Sequence, residues 1–543
     1  MKICGVTNLT EQTYFARKSS GLVREFGTFD ALLIATAGIF SLTFAFLQFP
    51  WYYGFNPGAN LNLALGIVFF FYLLLMFVYW TIGVIMPRSG NDYVWVARIF
   101  GPAVGFPWAM VFVAITFGFF GYAAGMSGWV YALGTALTMW GTLNNSSALI
   151  NAANWVSSPM GGFTFVVLFA IAFAFLTVVG AKAAKAFIYV TWISSAIAII
   201  TIWSILATTS PTVFAAKWDQ VLGHYTTYQN IFTMATQAGW TPVPLTLAAT
   251  MTSMPFAVLF LLGGNVANVM AGEIKSVRRA IPIALICSLI FSMVLWVGCN
   301  TFTLGAVGDK WMYALGYLWD NAGSAYSSVM PIAPTLPLMV SLIVYPNPFL
   351  MFLVFFTMLF GSINVVFISF WLPSRYIFAW AFDRIIPTKC AAVNSRFRTP
   401  HVAIALITIA WILVSAVYWF TSFPTALTIG TLLYNICFAI VALGCAVFPF
   451  TKKDLLAQAP GFLRKKIAGI PLISIVGLAT AVIFLWIAYI SASNPLIVTP
   501  TTYGVIISVG IVVGSLVIYY ASLLYHRKHG LDISLVFKEI PPV

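Results

Sequence analysis

Leu261-Leu262-Gly263-Gly264-Asn265 falls in the middle of a long apolar stretch, residues 250–271, that otherwise suits one continuous helix. A glycine inside a helix costs about 1 kcal/mol relative to alanine, and two in succession beside a polar amide predict a break. Five apolar stretches earlier, within residues 30–50, Ile34-Ala35-Thr36-Ala37-Gly38-Ile39-Phe40 offers a second interruption. Glycine also serves plain close packing in membrane helices, so neither stretch decides the fold alone. Their pairing does, because interrupted helices at corresponding places five spans apart mark an inverted repeat with a site near the bilayer midplane.

Worked outward from that pair, the chain holds twelve apolar stretches: 30–50, 61–86, 103–138, 161–180, 187–208, 250–271, 281–304, 348–374, 401–420, 425–449, 469–491 and 502–525. Each reaches the roughly 20 residues needed to cross the hydrocarbon core. Of the 26 Lys and Arg, all but Lys217 and Lys310 fall in the tails and in every second gap. That asymmetry predicts that both termini are cytoplasmic. Charged residues make up 7% of the chain, against about 25% in a soluble domain. The expected class is an all-α polytopic membrane protein of twelve transmembrane helices. The net charge of +14 is accounted for by basic loops beside anionic lipid, so the lipid bilayer and not nucleic acid is the expected partner. The six cysteines sit in spans or on the cytoplasmic side, and no disulfide is expected.

Three stretches on the basic side carry a resemblance. Met86-Pro87-Arg88-Ser89-Gly90-Asn91-Asp92-Tyr93 follows the second span. Ala271-Gly272-Glu273-Ile274-Lys275-Ser276-Val277-Arg278-Arg279-Ala280-Ile281-Pro282 follows the sixth. Ser374-Arg375-Tyr376-Ile377-Phe378-Ala379-Trp380-Ala381-Phe382-Asp383-Arg384-Ile385-Ile386-Pro387, with Thr399-Pro400 beyond, follows the eighth. In order and spacing they resemble three motifs of the amino acid–polyamine–organocation family of permeases. The resemblance implies a LeuT-like fold: spans 1–5 (residues 30–208) and 6–10 (250–450) as inverted repeats, followed by a cytoplasmic loop and the peripheral spans 11 and 12 (together 451–525). The N-tail 1–29, the outer loop 209–249 and the C-tail 526–543 complete the division. It further implies a substrate site at Thr36, Ala37, Gly38 and Ile39 of span 1 and Leu262, Gly263, Gly264 and Asn265 of span 6.

The chemistry of such a break is general. Unwound backbone offers N–H groups, backed by a half-helix dipole, to a carboxylate, and free carbonyls to an ammonium group. A zwitterion can therefore be held without a buried charged side chain. A polyamine needs a carboxylate at depth, and none is evident, so a neutral amino acid is expected over a polyamine or other organocation. Where relatives carry a glutamate, Asn265 cannot titrate. Exchange, facilitated movement, or coupling to a cation near Ser362 and Asn364 of span 8 is therefore expected. Proton symport through Asp30 is the rival, and the coupling ion, H+ or Na+, stays open.

Other residues are placed more loosely. Phe117, Phe120 and Phe260 are candidates to line or gate the pocket. Arg88, Lys275, Arg375 and Asp383 are expected at a cytoplasmic gate, with Asp383 near one of the cations Arg88, Lys275, Arg278, Arg279 or Arg375. Lys182 and Lys185 read as inner-face anchors. Asn144 and Asn145 open two overlapping glycosylation sequons in an outward loop. The outer segments carry only Asp219, Asp309 and Asp320 as carboxylates, which suits an acidic exterior. No metal spacing or activated nucleophile appears, so no enzyme, metal or cofactor is expected. The expected function is a secondary transporter of amino acids in the plasma membrane, with oligomeric state open. A transport-inactive receptor or assembly subunit on the same scaffold is the alternative.

Overall fold

The computed structural model describes residues 24–39, 50–115, 127–330, 332–394, 396–421, 429–494 and 502–539. Among them, nine helices are long and apolar enough to cross a membrane: Leu61–Ile85, Pro159–Val179, Ala181–Ala207, Val277–Val307, Pro348–Phe382, His401–Phe420, Gly430–Thr451, Leu472–Ser493 and Gly504–Lys528. They coincide with expected spans 2, 4, 5 and 7–12. The other three expected spans are built from shorter pieces. Span 1 is Thr28–Ile39. Span 3 is Pro102–Ile115, followed from Ser127 by a wide helical turn to Gly134 and by Thr135–Leu143. Span 6 is divided into Met254–Leu261 and Val266–Val269.

The helices start where the sequence supplies caps. Asn60 accepts a bond from the Leu63 amide, and Ser158 and Asn347 do the same ahead of Pro159 and Pro348. These positions use a side-chain acceptor for an orphan amide and a proline where no amide is needed. Spans 4 and 5 are separated only by Gly180, whose φ of 116° ends one helix and begins the next.

Span 1 packs on spans 5, 7 and 8 and on the lower piece of span 6, so it lies at the centre of the bundle. Span 10 lies against span 11, span 9 against span 4, and span 12 against span 3. Only 17% of span 12's apolar window is buried, which makes it peripheral. Phe175, Leu168, Leu413, Val517 and Leu524 are exposed on the outer helices. In a bilayer such side chains face acyl chains, which is why the apolar fraction exceeds what a soluble core can use.

Two faces close the ends of the bundle. The basic loops meet on one. Thr399 bonds to the Val178 carbonyl, Ser522 to the Arg384 carbonyl, and Phe26 pairs with Ile274 in a strand-like bridge. On the opposite face lie the helices Pro211–Leu222, Tyr228–Gln237 and Asp309–Asn321. Trp218, Tyr228 and Trp311 interlock there, with Tyr228 and Trp311 stacked at 5.0 Å. Helix Asp309–Asn321 meets the segment after span 1 backbone to backbone. A Cβ added to Gly54 would stand 2.4 Å from the Gly316 carbonyl oxygen, so only glycine fits.

Candidate functional site

The break in span 6 forms at the glycine pair. Helix Met254–Leu261 stops because Leu262 turns extended (φ −71°, ψ 139°) and Gly263 takes φ 125°, a conformation closed to side-chain-bearing residues. The chain resumes as one short turn, Val266–Val269, and a tighter one, Ala271–Glu273. One carbonyl near the break, that of Phe260, is taken up by the Ser292 hydroxyl of span 7 at 3.1 Å.

Span 1 departs from expectation. Thr36, Ala37 and Gly38 are helical, and the helix runs to Ile39. The Thr36 hydroxyl donates back to the carbonyls of Leu32 and Leu33 and accepts the Trp192 indole N–H at 3.0 Å. With alanine and a side chain bonded to its own helix, a single glycine does not unwind the turn. The expected break is therefore absent at Thr36–Gly38. Residues 40–49 lie outside the described residues, as do Phe117 and Phe120.

Beside the glycine pair is a small cavity of about 40 Å³, lined by Leu262, Gly263 and Asn265 of span 6, Phe112 of span 3, Ser369 of span 8, Tyr434 of span 10 and Tyr376. That is room for a water or two, and substrate-sized pockets run from roughly 300 Å³. Its lining contains no charged side chain. On the opposite face a larger cavity of about 610 Å³ opens between Tyr53, Asn60, Asn62, Asn300, Asp309 and Tyr313. Phe260 lines neither cavity; it packs edge-on to Trp296. Asn364 is buried in span 8, and neither end of its amide is hydrogen-bonded among the described residues. Ser362 is helical, and its side chain lies outside the described residues. Asn144 and Asn145 are exposed at the turn after Thr135–Leu143.

The basic face is closed by buried ion pairs. Arg375 grips Glu273 with two parallel bonds, Nε to Oε1 at 2.9 Å and Nη2 to Oε2 at 2.8 Å, and its guanidinium lies over the Trp371 ring. Phe26 donates its amide to the Glu273 carbonyl and accepts from the Lys275 amide, tying the N-terminal segment to the same point. Asp383 accepts from Arg98 at 2.6 Å and from the Tyr93 hydroxyl at 2.7 Å. Lys185 bridges to Asp30 at 2.8 Å, joined by Tyr189.

Two expectations change here. The partner of Asp383 is Arg98 and none of the five cations named for it. Arg375 is committed to Glu273, while Lys275, Arg278 and Arg279 are exposed. Arg88 donates to the Pro87 carbonyl, and burial lowers its guanidinium to about 10. The pairs that matter are buried, where removing one partner costs about 3–5 kcal/mol, and not the exposed contacts worth about 0–1 kcal/mol. Lys185 also does more than anchor a loop, since it neutralises Asp30.

The amino acid permease family matches residues 26–517. This chain belongs to the amino acid permease family. The permease is a multi-pass membrane protein and a secondary amino acid transporter. Among 167 solved chains that match in structure is one described as "Crystal structure of MhsT in complex with L-phenylalanine". The likeness covers 86% of the permease and 99% of that chain, with a TM-score of 0.53 at 13% identity. It shows that the permease has the LeuT-like fold. No curated protein matches the sequence. In that frame Phe112, Tyr376 and Tyr434 are cavity residues that sequence reading missed. Tyr376 stood within a quoted motif, and the other two are indistinguishable in sequence from lipid-facing aromatics.

Proposed function

We propose that the permease carries neutral, zwitterionic amino acids across the plasma membrane by alternating access, with its basic face and both termini in the cytoplasm. The observation that supports this reading is the interruption of span 6 at Gly263 beside a cavity with no charged side chain. An interrupted helix presents backbone N–H and C=O groups that suit a carboxylate and an ammonium group of one small molecule. Residues Thr36–Ile39 and Leu262–Asn265 would form the two sides of the site, and the cavity would widen on binding. The ion pairs Arg375–Glu273 and Arg98–Asp383 would serve as the cytoplasmic gate.

L-Phenylalanine, the ligand named for MhsT, is a natural first substrate to try alongside alanine, leucine and putrescine. Purified permease in proteoliposomes should exchange at least one labelled neutral amino acid, and Gly263→Leu should abolish the exchange. Movement of putrescine alone would replace the zwitterion by an organocation. Binding of an amino acid without any movement would make the protein a receptor.

A further inference from the structure

Among the described residues the basic face buries four carboxylates, and three of them hold a cation: Glu273 with Arg375, Asp383 with Arg98, and Asp30 with Lys185. Asp92 holds none. It is fully buried in the first turn of the connecting helix Asn91–Ile99. Its Oδ1 accepts from the Tyr376 hydroxyl at 2.7 Å and from the Tyr93 amide at 3.1 Å, while its Oδ2 has no hydrogen-bond partner among the described residues.

The groups around it come from every neighbouring element. Span 2 contributes Tyr79, span 10 contributes Cys437, and helix Pro373–Phe382 contributes Tyr376. Pro102–Ile115 of span 3 and Val266–Val269 of span 6 have no titratable residue. Arg98, on the same helix, is committed to Asp383, and the C-terminal turn Ile533–Lys538 meets that end through Phe537 over the Arg98 guanidinium. Among the described residues, the titratable groups that face Asp92 from these elements are thus neutral hydroxyls and a thiol.

A buried carboxylate without a cation is costly to ionise, and the usual escape is to take up a proton. Two features oppose that: the helix N-terminus and the Tyr376 hydroxyl both favour the anion. Burial outweighs them and raises the carboxyl to about 6. The group is therefore poised where small changes in its surroundings decide its charge.

Its surroundings belong to moving parts of a carrier. Tyr376 lines the cavity beside Gly263. The Gly90 amide that starts the helix is bonded to the Val269 carbonyl, and Asn91 receives a bond from Asn268, both on the lower piece of span 6. Any shift of that piece away from the bundle opens the start of the helix and admits water to Asp92.

We propose that Asp92 is a proton-binding site of the permease, taking up a proton in the dry, closed basic face and releasing it to that side when the lower piece of span 6 draws away and water reaches the carboxyl. The proton binds Oδ2, the oxygen left without a hydrogen-bond partner among the described residues, while Tyr376 and the Tyr93 amide hold Oδ1. This rests on the carrier reading above and adds a coupled proton to it, through a carboxylate outside the spans.

Infrared spectra of the full chain in lipid nanodiscs read the site directly. The wild type should show a carboxylic-acid band that disappears as pH rises from about 5 to about 8, around the ordinary range of a raised carboxyl. Asp92→Asn should lack that component. Tyr376→Phe should move the titration to higher pH. A band identical in wild type and Asp92→Asn, or one that does not titrate, overturns the proposal.

In proteoliposomes, an inward proton gradient should drive several-fold accumulation of a labelled mixture of alanine, leucine and phenylalanine. Asp92→Asn should lose that accumulation, and accumulation equal to wild type also overturns the proposal. If the wild type moves none of these probes, the carrier reading fails, and the infrared titration still decides whether Asp92 binds a proton.

Discussion

Arg98 and Asp383 meet across 285 residues of chain, side chains 1% exposed, with Arg98 Nη2 2.6 Å from Asp383 Oδ1 and both carboxylate oxygens engaged. The pair joins the connector between spans 2 and 3 to the segment after span 8. Such a pair contributes little over a well-packed apolar substitute, yet losing one member strands a charge in a dry place.

Arg98→Ala and Asp383→Ala should each destabilise the permease by about 3–5 kcal/mol. The double variant should cost less than the sum of the two. Thermal unfolding in detergent measures all three, and strictly additive losses would mean that the two side chains do not act as a unit.

Gly263 and Gly264 should separate sharply on substitution, although they are neighbours. Gly263 has φ 125° and Gly264 has no such requirement. Gly263→Ala is expected to cost about 1–3 kcal/mol through backbone strain and to lose substrate binding. Gly264→Ala should be far milder. Equal losses at the two positions would locate the constraint elsewhere in the break.

Asp320, near the end of outer helix Asp309–Asn321, is raised by burial to about 8, and its Oδ2 lacks a hydrogen-bond partner. Its ordinary value in an unfolded chain is about 3.9. A raised carboxyl supports the folded state while protonated in both states, and that support is lost as pH climbs from about 4 to about 8. The slope inside this window is at most about 1.4 kcal/mol per pH unit. Asp320→Asn should flatten the fall in melting temperature between those limits. An unchanged pH profile would show that the carboxyl ionises at no cost.

Asn364 tests the cation reading. A buried amide with neither end bonded costs about 1–3 kcal/mol, so Asn364→Leu should raise the melting temperature in choline buffer. If a cation binds beside it, sodium should stabilise the wild type and leave Asn364→Leu unaffected. Sodium stabilisation of equal size in both would remove Asn364 from any ion site.

Much of this was legible in the chain. Lys217 and Lys310 alone stand apart from the other cations, and the structure gathers the two sets of loops onto opposite faces. Gly263 announced its break because a φ of 125° requires the residue type itself. Gly38 announced one that does not occur at Thr36–Gly38, because Thr36 spends its hydroxyl on the helix behind it, and a sequence does not show where a hydroxyl points. The gate pairs were hidden for a related reason. Arg98 looks like any surface cation until it is seen 285 residues along the chain in contact with Asp383, and Asp92 looks like an ordinary first-turn acid until its burial is known.

The bridge at Phe26 has a mechanical consequence. Its two bonds, Phe26 to the Glu273 carbonyl and Lys275 to the Phe26 carbonyl, lie side by side, like teeth of a zip. A pairing of that kind pulled from its end opens one bond at a time under small force, whereas the Arg375–Glu273 clasp beside it yields both bonds together. Anything that tugs on the chain ahead of Arg24 therefore has leverage on the closed face that a push on the helices lacks.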